Sequence, residues 1–111
     1  MPHHRIYIAS PYSNPDPAAV EANVWRSVEA AAECMRRGHD ALSPLAATHP
    51  VAALAPGLGY ERFMRQDFGL IRHWATALLY LEPSPGADRE LALARDLGRV
   101  VFRSVDEVPF V

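Results

Sequence analysis

A chain of 111 residues is long enough for one domain and too short for two, so residues 1–111 are read as a single unit. Half the residues are hydrophobic and 22% are charged, the composition of an ordinary globular core. The net charge of −2 argues against a nucleic-acid polymer or an anionic membrane as main partner, and a single cysteine, Cys34, excludes a disulfide framework and a cysteine-rich zinc site. No apolar run reaches transmembrane length and "MPHHRIYIAS" lacks a signal peptide's apolar region, so a cytoplasmic protein is expected.

In chain order, RIYIA (residues 5–9) is short, apolar and rich in strand formers, and predicts a buried strand. SPYSNPDP (10–17) is a loop with three prolines. A helix is expected over 17–37, with Val20, Val24, Val28, Ala31 and Met35 as its stripe, Cys34 as a small buried filler and Gly38 as its stop. Residues 39–42 predict a second strand, and 45–59 a long loop with room for one helical turn. A helix over 60–74, a third buried strand over 77–81 (ALLYL), a helix within EPSPGADRELALARDLG (82–98) and a fourth strand over 99–103 complete the chain. Near-continuously apolar strands alternating with helices imply a parallel sheet covered on both faces. The expected fold is a small doubly wound α/β domain, flavodoxin- or Rossmann-like, with four to five strands. Such sheets bind ligands beyond the carboxyl ends of their strands, where the loops SPYSNPDP and EPSPGAD both fall.

Two carboxylates break the helical pattern. At about 100° per residue, Glu90 falls beside Ala87, Ala94 and Leu97 on the apolar arc of its helix. Asp67 does the same among Tyr60, Phe63, Met64, Leu70, Ile71 and Trp74. An unpaired buried acid is costly and should be partnered, protonated or facing a cavity. The plain alternatives are that Glu90 complements a helix dipole and that Asp67 pairs with Arg36 or Arg103.

With IYIASPYS near the start, an Asp before the third strand and ALLYLEPSPGADRELALARDLG after it, the chain resembles the nucleoside 2-deoxyribosyltransferase-like superfamily over roughly residues 6–101. The most specific element is Ser/Asp-x-Gly-x-x-x-Glu after an apolar strand, here Ser84 to Glu90. The resemblance implies that Glu90 is the nucleophile, that Asp67 works near the base and sugar, and that Tyr7 orients the nucleophile. In that family, Asp six residues before the nucleophile goes with nucleosides and Ser with nucleotides. Ser84 therefore implies hydrolysis of a nucleoside 5′-monophosphate, with base exchange by a deoxyribosyltransferase, or nucleotide binding without turnover, as the alternatives. The chain departs from the pattern in having Ala75-Thr76 where many members have Ala-Asp, and in lacking the first-loop arginines of some nucleotide hydrolases. Both departures bear on substrate more than on fold.

The candidate substrate contacts are Ser10, Tyr12, Ser84, Gly86, His49 and Arg89. Tyr12 is placed to stack a base, His49 to line the pocket from the long loop, and Arg89 to add charge for a phosphate from its own subunit or a neighbour. Trp25 is a weaker stacking candidate. The histidines show no metal-ligand spacing with carboxylates, so no metal and no cofactor are expected. The expected partner is a small nucleoside or nucleotide, and the resemblance implies a homo-oligomer.

Overall fold

The computed structural model describes residues 2–111. Its elements are β1 (Arg5–Ala9), α1 (Pro17–Arg36), β2 (Asp40–Leu42), α2 (Pro44–Leu54), α3 (Tyr60–His73), β3 (Ala77–Tyr80), α4 (Pro85–Asp96) and β4 (Val100–Phe102), followed by a 3-10 turn at Val105–Glu107. All strand pairings are parallel, in the order β2-β1-β3-β4. The fold is therefore the expected α/β fold on a four-stranded parallel sheet.

One element differs from expectation. Residues 44–54 form a helix rather than a loop. Ser43 accepts from the Ala46 N–H and Pro44 occupies the first turn, where its missing N–H costs nothing. Pro50 lies inside this helix and, with no amphipathic period to offset it, marks a break to a sequence reading. The other boundaries agree to within a residue or so. Gly38 and Gly98 stop α1 and α4 with φ of 100° and 70°, where a side chain would be strained.

Strand alternation sorts the core into two layers. Ile6 and Ile8 of β1, with Ala77 and Leu79 of β3, face Ala30, Ala31 and Cys34 of α1. Tyr7 and Ala9, with Leu78 and Tyr80, face Ile71 of α3 and Ala87, Leu91 and Ala94 of α4. The period of two thus sends Tyr7 to the layer from which α3 and α4 present their acids. The chain leaves β1 for β2 on one side and returns past β1 to β3 on the other. The loops after β1 and β3 therefore diverge, which opens a crevice at the carboxyl edge between those two strands.

Candidate active site

A cavity of about 420 Å³ occupies that crevice. The loop after β1 supplies Ser10, Pro11, Tyr12 and Ser13 to its wall, and the start of α4 supplies Ser84, Pro85, Gly86 and Ala87. Leu45, Thr48 and Ala52 contribute one face of α2, and Tyr60, Phe63 and Met64 one face of α3. Asp67 and Glu90 both reach it.

Each acid arrives by helix phase. Tyr60, Phe63 and Met64 precede Asp67 by seven, four and three residues, so they share its face of α3. Glu90 lies in the second turn of α4, whose start is fixed by the Ser84 hydroxyl accepting from the Ala87 N–H at 3.0 Å. Both acids are buried, and among the described residues neither is in a salt bridge. The alternative in which Asp67 pairs with Arg36 or Arg103 does not occur: Arg36 pairs with Glu33 and Arg103 lies over the Tyr80 ring.

Tyr7, fully buried beneath the cavity, donates its hydroxyl to Glu90 Oε2. Burial, and then the two nearby carboxyls, hold its phenol well above the usual tyrosine range. Burial pushes Glu90 up to about 8, opposed by the Tyr7 hydrogen bond and reinforced by the charge of Asp67. Burial likewise pushes Asp67 up to about 6, and the nearby Tyr7 phenol opposes the rise. Desolvation is the largest of the influences on Glu90. Among the described residues, Asp67 Oδ1 and Ser10 Oγ are buried without a hydrogen-bond partner, and both belong to cavity-lining residues.

Of the expected site residues, the structure brings Tyr7, Asp67 and Glu90 together and places Ser10, Tyr12, Ser84 and Gly86 around them. His49 stands behind Tyr12, its Nδ1 2.7 Å from the phenol oxygen, and does not itself line the wall. Arg89 does not line the cavity of its own chain. Adjacent helical residues do not share a face, and its guanidinium turns away to grip Glu61 at 2.7 and 3.2 Å over the Phe68 ring. Trp25 is 61% exposed on α1 and also outside the cavity. The α2 lining was missed because that segment has no helical period. The α3 lining was readable, since side chains on the arc of a buried acid are the ones that enclose it. Among the described residues no three His, Cys, Asp or Glu side chains group as a metal site, and no helix is long and apolar enough to cross a membrane.

No protein-family model matches the chain, and no curated protein is detectably similar to it.

Proposed function

We propose that the protein hydrolyses the N-glycosidic bond of a nucleoside or nucleotide through a glycosyl ester on Glu90. The observation that carries this reading is the pair of buried carboxyls, free of salt bridges among the described residues, facing one cavity, with a buried phenol hydrogen-bonded to Glu90. An acid kept for stability is better placed against a cation. One that attacks an anomeric carbon must be left without that competitor.

Ionised Glu90 attacks C1′, and the C1′–N bonding pair leaves with the base. Water then attacks C1′ and releases Glu90 as carboxylate; a second base in place of water gives transfer. Tyr7 holds the attacking carboxyl in position. Asp67 ionises at lower pH than Glu90 and, as a carboxylate, accepts hydrogen bonds from sugar hydroxyls.

The linings favour a free nucleoside over the 5′-monophosphate implied by Ser84. Among the described residues, none that lines the cavity is cationic. At the start of α4, Pro85 has no N–H and the Ala87 N–H is already taken by Ser84, which weakens that helix end as an anion cradle. A phosphate would have to draw its cation from a second copy of the chain. Self-association is supported by Leu58 and Tyr60, half-exposed at the cavity, and by Leu54, 89% exposed at the end of α2. Binding without turnover is the competing reading, favoured by a Glu90 that holds its proton near neutrality.

The test is incubation with nucleosides and their matched 5′-monophosphates, with and without an acceptor base, followed by chromatography. Base release by wild type and none by Glu90→Gln is the expected result. Binding without release supports the binding module, and release surviving in Glu90→Gln overturns the mechanism. Efficient base exchange identifies a transferase.

A further inference from the structure

A second set of polar groups reaches the cavity through Tyr12. Its phenol oxygen lies 2.7 Å from His49 Nδ1, and His49 Nε2 lies 2.5 Å from Glu21 Oε1. Three elements meet here: the loop after β1, α2 and α1. The loop is fixed by Asn23, whose side-chain N–H donates to the Tyr12 carbonyl at 3.1 Å.

The chemistry of the three groups orders the protons. An ionised carboxylate only accepts, so His49 Nε2 carries a hydrogen toward Glu21. In the neutral ring Nδ1 then accepts from the Tyr12 O–H. When the ring takes a second proton, Nδ1–H donates to the phenol oxygen instead, and the phenol hydrogen is free to turn into the cavity. Tyr12 lines the cavity while the Glu21 side chain is 59% exposed, so the chain of hydrogen bonds runs from the cavity wall to bulk water. A hydroxyl, an imidazole and a carboxylate in this order form the arrangement by which triads move a proton.

The mechanism proposed above, on which this inference rests, leaves the departing base without a donor: Glu90 must be ionised to attack, and Asp67 acts as a carboxylate on the sugar. We propose that Tyr12, His49 and Glu21 form a proton relay in which Tyr12 is the catalytic acid that protonates the departing base. As Glu90 bonds to C1′, the C1′–N electron pair passes to the base nitrogen, which takes the phenol proton. The phenol oxygen takes the Nδ1 proton of the imidazolium, leaving His49 neutral. The negative charge of Glu90 and the positive charge of His49 are lost together, so the site's net charge is unchanged. In the second step water attacks C1′ and Glu90 leaves as carboxylate. The water proton passes to the Tyr12 oxygen while the phenol's own proton moves to Nδ1, which restores the imidazolium.

Leaving-group dependence tests the relay. A nitrophenyl glycoside of the same sugar departs as a stabilised anion and needs no proton. Tyr12→Phe and His49→Gln are expected to lower kcat on nucleosides by about 10²- to 10³-fold, and on the nitrophenyl glycoside by less than about tenfold. Glu21→Gln, at an exposed position with no core packing to lose, is expected to lower nucleoside cleavage by about tenfold and spare the aryl substrate. Equal losses on both substrates mean that the three residues only brace α2 against α1, and overturn the relay. So does wild-type nucleoside cleavage by His49→Gln. Either outcome, with Glu90→Gln inactive on both substrates, leaves the glycosidase mechanism standing. Cleavage of neither substrate by wild type, or of either by Glu90→Gln, overturns that mechanism and the relay with it.

Discussion

The two ends of the sheet treat their polar groups in opposite ways. At the amino ends of the strands, the groups close on one another. His39 Nδ1 accepts the His4 backbone N–H at 3.0 Å while its Nε2 meets the Pro109 carbonyl at 2.7 Å. Thr76 Oγ1 accepts the Arg5 backbone N–H at 2.9 Å and lies 3.1 Å from His4 Nδ1. The rings of His3 and His4 stack on His39. Even Arg37 Nε, a buried atom there without a hydrogen bond, is 3.6 Å from the Glu33 carboxylate. At the carboxyl ends, among the described residues, Asp67 Oδ1 and Ser10 Oγ have no hydrogen-bond partner and two acids hold raised proton affinities without a salt bridge. Buried polar groups are normally satisfied, so an end that leaves them unsatisfied is where a ligand's hydrogen bonds are wanted. Thr76, where the resembling family often has Asp, belongs to the closed end and acts on the fold.

The contrast can be broken most sharply at Glu90. Glu90→Gln is expected to lower kcat by roughly 10⁴-fold, as loss of a nucleophile does. It also changes stability. Burial raises Glu90 from 4.5 to about 8 on folding, so its contribution to stability is full below pH 4.5 and falls as pH rises through that window. Removing the titration should make the variant more stable than wild type at pH 8 by on the order of 2–5 kcal/mol, and near-equal at pH 4, in denaturant titrations at both values. A variant less stable at pH 8 would mean that the carboxylate is structurally satisfied after all.

Asp67→Asn tests the second acid. A loss of about 10²-fold in kcat/KM is expected from a misheld sugar, with a smaller gain in stability confined to the window from 3.8 to about 6 and above. Tyr7→Phe is expected to cost about tenfold in kcat and to move the alkaline rise of the pH–rate profile upward, because the phenol's hydrogen bond is what lowers Glu90. An unmoved profile would separate Tyr7 from the nucleophile. At the closed end the signs reverse. His39→Leu leaves the His4 N–H and the Pro109 carbonyl unmet and should cost about 2–3 kcal/mol by chemical denaturation, with kcat at subsaturating denaturant unchanged.

Much of this was readable from residues alone because it obeys a period. The strands RIYIA and ALLY, the helices around them and the misplaced phases of Asp67 and Glu90 follow from spacings of two and 3.6. What escaped has no period. In α2 only Pro44 is buried and its other apolar residues face solvent or the cavity, so nothing in the pattern opposes Pro50. The Tyr12–His49–Glu21 contacts join positions 37 and 28 residues apart on three elements, a proximity that exists only after the crossovers are made. Arg89 was drawn toward the site by adjacency in sequence, although one step along a helix turns a side chain through about 100°.

Three of the four helices start at the carboxyl edge with the same two devices, a capping side chain followed by proline: Asp16-Pro17, Ser43-Pro44 and Ser84-Pro85. Their backbone freedom is spent during folding, so a ligand has little left to order when it arrives there. The fourth start is different. Gly59 precedes α3 with no side-chain cap, and neither Gly57 nor Gly59 has a neighbour where a Cβ would sit. Leu58, between them, lines the cavity. The rim thus has three helix starts pinned by a cap and a proline and one, before α3, pinned by neither, so the cost of ordering a bound ligand's surroundings falls on one side of the cavity.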